Sequence, residues 1–374
     1  MKLKKAAVWL LACLFVSAMP FGVACGGSGA DNGESSSVAG GGLNETSSNG
    51  GTSSSGGGSS SDISVGDKVK FGSYPQTQVT SESVISALNG QAGALPTAEN
   101  SQGWTSYGYY KESSTEFDFM WYQDVTYGEE KYRGVYFSEY RPRTCEAGNT
   151  MLVQKYSYQG DNGYNPETVY WFAFEKLEWT VLEQKDGKTL LHCSSIIDGQ
   201  EYYNSTRSRD VNGAYATPNN YAESNIRKWL NASFYETAFT AAEQGKIATT
   251  LVDNSVASTA VYDGVNQYAC ENTNDKVFLL SKAEATNTAY GFSESAWDYG
   301  EGNTRIRKPS DYAKCQGVGA SAEDSPYGSG WWLRSPVPTN HRPVMRVSGD
   351  GDASGETWAI QVDIGVAPAM WITL

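Results

Sequence analysis

The chain has 374 residues, 42 of them acidic and 28 basic, for a formal charge of −14 at neutral pH. A charge of that sign repels phosphate backbones and anionic lipid, which sets nucleic acid aside as a partner class. Aromatic residues make up 13% and glycine contributes 40 positions, a balance that suits short strands and tight turns more than long amphipathic helices.

Lys2, Lys4 and Lys5 precede an apolar stretch over residues 6–24, which ends in Gly22, Val23 and Ala24 before Cys25. Basic, apolar and small regions in that order predict an export signal over residues 1–24. A small residue before a cysteine marks a lipobox, so Cys25 is the expected lipidation site, although Gly22 stands where leucine is usual. Ser17, Pro20 and Gly22 make the same stretch a poor permanent span. Cleavage before Cys25 removes three lysines and no acid, leaving the mature chain more acidic still. Residues 25–61 are the lipidated cysteine followed by almost nothing but Gly, Ser, Asn and Thr, which cannot offset its own ordering entropy. Such a tether spans about 33 Å end to end as a flexible coil. It predicts a domain lifted clear of a membrane surface, held there by its lipid and facing a partner outside the cell.

Residues 62–374 carry the folded part, large enough for one large core or two small ones. Val65-Gly66-Asp67-Lys68-Val69-Lys70-Phe71-Gly72-Ser73-Tyr74-Pro75-Gln76 alternates apolar and polar residues and predicts a strand. Residues 90–170 form an aromatic-rich elaboration without a sustained period, with short strands expected near 107–110, 117–122 and 134–137. Leu177-Glu178-Trp179-Thr180-Val181-Leu182 and Thr189-Leu190-Leu191-His192-Cys193 flank Asp186-Gly187, the pair that supplies the positive φ of a tight hairpin turn. Ser224 is placed to cap a helical turn carrying Ile226, Trp229 and Leu230. Thr240 with Glu243 and Ser281 with Glu284 read as capping boxes, the second after a strand over Val277-Phe278-Leu279-Leu280.

Near the C-terminus, Ser348-Gly349-Asp350-Gly351 reads as a turn between two strands. Period two places Trp358, Ile360, Val362 and Ile364 inward, with Thr357, Ala359, Gln361 and Asp363 outward; Met345 and Val347 face in while Val344, Arg346 and Ser348 face out. Trp331 and Trp332, followed by Leu333, read as core. Besides Cys25, the mature chain has Cys145, Cys193, Cys270 and Cys315, none in a Cys-x-x-Cys pair; two disulfides and four buried thiols fit equally well.

Several blocks resemble an uncharacterised bacterial domain common in surface lipoproteins and related to the formylglycine-generating-enzyme type of C-type-lectin fold. They are Phe71-Gly72-Ser73-Tyr74-Pro75-Gln76, Trp179-Thr180-Val181-Leu182, Ile226-Arg227-Lys228-Trp229-Leu230-Asn231, Asp275-Lys276-Val277-Phe278-Leu279-Leu280-Ser281, Trp331-Trp332-Leu333-Arg334-Ser335-Pro336 and Gly365-Val366-Ala367-Pro368-Ala369-Met370-Trp371. Ala367 departs from the arginine usual there. The resemblance implies an α+β, C-type-lectin-like fold with small antiparallel sheets, short helices and much irregular structure. It also implies a ligand-binding region over residues 331–374. The wider group includes variable proteins of diversity-generating retroelements, in which adenine-directed mutagenesis rewrites exposed contacts. By that analogy Thr339, Asn340, His341, Arg342, Arg346, Ser348, Asp350, Asp352 and Asp363 are residues a diversified Asn codon can yield, whereas Met345, Trp358 and Gln361 are not.

The function expected is therefore non-catalytic recognition of an extracellular protein or glycan by a lipid-anchored protein at the cell surface or outer envelope. Contacts fall to Thr339, Asn340, His341, Arg342, Arg346, Ser348, Asp350, Asp352, Gln361 and Asp363, a set rich in donors and acceptors. The alternatives are a structural or adhesin-like envelope lipoprotein without a defined pocket and a remnant of oxidase chemistry. Catalysis has little support: the histidines are His192, on an apolar strand, and His341, with no cysteine near it. The acidic loop Asp350-Gly351-Asp352-Ala353-Ser354-Gly355-Glu356 spaces oxygens as calcium loops do but lacks an EF-hand's length and ligand set, and no metal or cofactor is expected.

Overall fold

A computed structural model of the chain describes residues 63–109, 118–144, 156–259 and 265–373. The export signal, Cys25, the tether over residues 25–61, Cys145 and parts of the 107–110 and 117–122 stretches lie outside the described residues.

Strand β1 (Lys68–Gln78) pairs antiparallel with the long β5 (Tyr170–Lys185), and its register slips between Lys70 and Ser73. Gly72, at φ +70°, causes no clash there because a Cβ in its place would stand 2.5 Å from the Phe239 ring and 2.9 Å from the Ala238 carbonyl oxygen. Beside it, Trp179 Nε1 donates to the Phe71 carbonyl at 2.7 Å. β5 returns as β6 (Lys188–Cys193) through Asp186 and Gly187, both at positive φ, as a type I′ turn requires. β2 (Thr105–Ser106), β3 (Met120–Tyr127) and β4 (Glu130–Phe137) continue from the other side of β5, so the stretch expected to be an elaboration extends the main sheet. β16 (Ala369–Ile372) closes that sheet against β6. Alternation along β3–β5 sends Met120, Val135, Phe137 and Phe172 into the main core and Trp121, Tyr136 and Trp171 into a smaller cluster under helix α1 (Glu82–Ala92).

A second sheet runs in the order β14 (Glu356–Trp358), β13 (Pro343–Val347), β12 (Trp331–Pro336), β15 (Gly365–Val366), β7 (Asp198–Gly199). Its β12–β15 pair is parallel and its other pairs antiparallel. Two small hairpins complete the strands: β8 (Arg209–Val211) with β9 (Ala214–Ala216), and β10 (Thr250–Val252) with β11 (Thr273–Asp275). The helices are short. Ser224 caps α2 (Asn225–Trp229), which continues through a π-helical turn (Leu230–Phe234) into α3 (Tyr235–Ala238). Capping boxes open α4 (Ala241–Gln244) and α6 (Lys282–Ala285), and α5 (Val256–Thr259) and α7 (Asp311–Cys315) are single turns. The architecture is mixed α+β, mostly antiparallel. Among the described residues no helix is long and apolar enough to cross a membrane.

Three expectations are corrected. Val277-Phe278-Leu279-Leu280 is buried but makes only a bridge, Phe278 to Ala369, instead of a strand. The strand expected through residue 364 stops at Trp358, because Gln361 N bonds back to the Trp358 carbonyl and Val362 N leaves for the Arg143 carbonyl. Period two therefore holds only in part beyond it: Ile360, Val362 and Ile364 are buried as expected, but Trp358 is exposed and Ala359 and Asp363 are buried. Val344, expected to face out, is also buried, since β13 lies inside the sheet between β12 and β14.

Much of the C-terminal half has no strand or helix to pair its backbone, and buried arginines take over that task. Arg334, 1% exposed, donates to the carbonyls of Leu279 and Asp253 at 2.7 and 3.0 Å, to Ser258 Oγ, and through both terminal nitrogens to the Glu284 carboxylate. Arg305 serves the carbonyls of Gly351, Ser293, Ser295 and Asp298. Arg307 serves those of Cys193, Thr304 and Ile306, and Arg141 those of Gly199 and Gln316. An unpaired buried carbonyl is costly, and a planar guanidinium reaches several at once, which an ammonium does not. Arg334→Lys is expected to lower stability by about 3 kcal/mol in urea denaturation, since it leaves Glu284 and two carbonyls short of donors. A loss below about 1 kcal/mol would remove Arg334 from this role.

Candidate functional site

The C-terminal strand β12 is buried along its whole length, and the two tryptophans that open it fix its position. Trp331 Nε1 donates to the Arg305 carbonyl at 3.0 Å and Trp332 Nε1 to the Gln200 carbonyl at 2.8 Å. Burying a large aromatic contributes on the order of 3 kcal/mol. Both indoles thus act as anchors, with their polar edges satisfied.

Immediately before β12 the chain runs Gly328-Ser329-Gly330, and this segment floors a cleft of about 360 Å³. The floor is held by backbone bonds: Gly328 N to the Gly349 carbonyl, Ser329 N to the Arg307 carbonyl, and Gly365 N to the Gly330 carbonyl. Glycine is needed at this approach, because a Cβ on Gly328 would lie 1.9 Å from the Arg307 carbonyl oxygen. Arg143, Tyr158, Ser321, Arg346, Thr357, Gln361 and Asp363 form the walls. A bridge between Thr144 and Gln361 and the bond from Val362 N to the Arg143 carbonyl bring Arg143 here from far away in the chain.

Two guanidiniums face one carboxylate in this cleft. Arg143 Nε donates to Asp363 Oδ2 at 2.6 Å, with the Arg143 side chain about one-third exposed and Asp363 buried. Arg346 Nη1 donates to Ser348 Oγ at 3.1 Å. Arg346 Nε and Asp363 Oδ1 are buried and make no hydrogen bond among the described residues. Burial raises the Asp363 carboxyl above its usual range, against the pull of Arg143 and Arg346. Burial lowers the Arg346 guanidinium, against Asp363, Asp350 and Asp352. The cleft has more cationic than anionic groups, in a protein whose overall charge is negative.

The expected contact residues separate into groups. Arg346, Gln361 and Asp363 meet in the cleft, and Ser348 supports Arg346 from its rim. Asp350 and Asp352 accept from the amides of Asp352 and Ser354, so they shape the turn. Thr339, Asn340, His341 and Arg342 sit at the other end of β13, on the turn from β12, about 13 Å along the strand from Arg346. Thr339, Asn340 and Arg342 are exposed there, with Asn219 bonding the carbonyls of Asn340 and Pro343. Arg342, expected among the same contacts, therefore lies apart from Arg346 and Asp363. Arg143 and Tyr158 were missed because they lie in a stretch without period; the paired glycines at 317–319 and 328–330 were the available signal of a close backbone approach.

Several other groups are tied into the frame. Arginine only donates, so His192 Nδ1 accepts from Arg307 at 3.0 Å and Nε2–H donates to the Ala367 carbonyl at 3.1 Å, which fixes the neutral tautomer. Burial, with Arg307 beside it, pushes the imidazole well below its usual range. Cys193, Cys270 and Cys315 are free thiols, all raised by burial. Among the described residues no group of three or more His, Cys, Asp or Glu converges as metal ligands would.

These features define an α+β protein with a polar, arginine-walled cleft over a glycine floor. Residues 186–374 match a family described as a domain of unknown function, DUF6273, and with half of the chain matched the protein belongs to that family. No curated protein and no solved structure matches the chain.

Gly328→Ala is expected to cost about 3 kcal/mol in chemical denaturation, because its Cβ meets main chain that Arg307 already holds in place. Unchanged stability would mean that the floor is not fixed.

Proposed function

We propose that this protein recognises an acidic glycan outside the cell, without catalysis, through the cleft formed by Arg143, Arg346, Gln361 and Asp363. In this reading Cys25 carries a lipid, residues 25–61 are the tether, and the DUF6273 segment has a C-type-lectin-like layout whose exposed positions vary as those of retroelement-diversified proteins do. The observation that carries the reading is the pair of buried, unbonded polar atoms, Arg346 Nε and Asp363 Oδ1, in an open polar cleft. A buried donor without a partner costs about 1–3 kcal/mol, and a ligand carboxylate with neighbouring hydroxyls supplies what both atoms need. Arginine suits a carboxylate because its planar fork donates twice. Open, mostly polar walls favour a sugar chain over an apolar peptide side chain.

The absence of catalysis is supported by the state of the nucleophile and base candidates. His192 is buried and neutral with both ring nitrogens engaged, and burial raises the thiols of Cys193 and Cys315. A thiol so placed is a poor nucleophile.

The test is an array that sets uronate- and sialate-bearing chains against neutral ones. Acidic chains are expected to bind, and Arg346→Ala to weaken that binding by at least ~10-fold, or about 1.4 kcal/mol, with its thermal unfolding unchanged. Arg342→Ala, at the far turn, is expected to bind as the parent does. Equal binding of acidic and neutral chains, or full binding by Arg346→Ala, would contradict the reading.

A further inference from the structure

A second pocket, about 140 Å³ in volume, lies between the main sheet and the π-helical turn. Half of its wall, including Tyr74, Tyr107, Tyr122 and Arg133, comes from β1–β4 and their connections, before the family segment begins. The other half, including Asp198, Trp229 and Ser233, belongs to residues 186–374. The π-helical turn is the second observation. Such turns are rare, cost helix regularity and recur at functional sites; this one begins directly after Trp229 and contains Ser233.

The chemistry of the wall narrows the ligand. Arg133 is 5% exposed and holds Asp124 through Nε and Nη2 at 2.7 and 2.9 Å. Asp198, 1% exposed, accepts from the Tyr74 hydroxyl at 2.8 Å and from Gly199 N at 2.7 Å. Burial pushes the Asp198 carboxyl up to about 6, with Tyr74 and Arg141 holding it from rising further. Its oxygens are met within the protein by the Tyr74 hydroxyl and Gly199 N. A cation entering the pocket would confront Arg133, and an anion would confront Asp198. Neither charge is left asking for a counter-ion.

What the wall offers instead is aromatic surface and hydroxyl groups. Tyr107 stacks on Tyr109 with centroids 5.2 Å apart and planes 5° apart, and Tyr122 lies 4.9 Å from Tyr107. The Tyr107 and Tyr312 hydroxyls bond each other at 2.9 Å, and each can both donate and accept. A saccharide ring has an apolar C–H face for aromatic rings and hydroxyls that also donate and accept. The volume is below that of sites for drug-sized ligands, which begin at about 300 Å³, so it suits one ring and not a chain. We propose that this pocket, built jointly by β1–β4 and the DUF6273 segment, binds a single neutral hexose-sized sugar unit, independently of the acidic-glycan cleft.

The experiment uses the mature chain and saturation-transfer NMR with methyl glucoside, methyl galactoside, methyl mannoside and N-acetylglucosamine, each titrated separately. Tetramethylammonium and acetate serve as charged probes. At least one sugar is expected to give a saturable signal with a dissociation constant on the order of 1 mM. Trp229→Ala is expected to weaken it by at least ~10-fold. Ser233→Leu gives a variant that keeps the fold, because Ser233 is exposed and its replacement fills the pocket without touching the Asp198 or Arg133 bonds; it is expected to abolish the signal. Arg346→Ala is expected to leave it unchanged, which separates this site from the cleft. Four silent sugars, a saturable signal from either charged probe alone, or sugar binding that survives Ser233→Leu would overturn the proposal.

Discussion

Four buried arginines donating to main-chain carbonyls are the interaction on which the C-terminal half depends. Strands and helices normally satisfy backbone groups in ladders, but here long segments between residues 200 and 330 cross the interior with few ladders of their own. Arg141, Arg305, Arg307 and Arg334 take their place, each bonding two or more carbonyls. Burial has a cost, seen in Arg307, whose guanidinium is pushed down to about 10 and still remains charged. The carbonyls offset that cost because they are numerous and fixed. The result is irregular backbone whose carbonyls have donors as a sheet's do, which is what a binding surface needs if it is not to spend ligand affinity on ordering itself.

This arrangement explains how the cleft is positioned. Arg307 holds the Cys193 carbonyl at the end of β6 and accepts the Ser329 amide through its own carbonyl, so the main sheet and the glycine floor share one residue. Arg305 and Trp331 are linked in the same way, since the indole donates to the Arg305 carbonyl. The family segment does not build its sites alone. Arg143 and Tyr158 enter the cleft, and Tyr74, Tyr107 and Arg133 enter the smaller pocket, all from residues before 186. β5, which takes part in three of the main sheet's six strand pairings, also precedes the turn at Asp186 where the family match begins.

The parts of the fold legible in the sequence were those governed by local rules. The Asp186-Gly187 turn, the Ser224 cap and both capping boxes depend on a few adjacent residues, and each forms as expected. Trp331 and Trp332 are in the core for the reason their neighbours suggested. Period two placed Met345, Val347, Ile360, Val362 and Ile364 inside but missed at Val344, Trp358, Ala359 and Asp363, the last two buried where the chain packs against the Arg143 segment. The cleft was half legible: Arg346, Gln361 and Asp363 lie in the region expected to bind, whereas Arg143 reaches them by a contact of more than 200 residues in sequence separation. Nothing local encodes that. The arginines that hold the frame carried no signal as a group, because a charged residue in an irregular stretch reads as solvated until its carbonyl partners are known.

Amide hydrogen exchange followed by mass spectrometry tests most directly whether arginine-held backbone is as rigid as a sheet. If it is, the amides of Asp298, Ile306 and Gly351, residues outside the strands and helices whose own carbonyls accept from Arg305 or Arg307, exchange within about tenfold of those in the β5–β6 hairpin. Exchange of these amides at the rate of exposed loops, while the hairpin stays protected, would contradict the account.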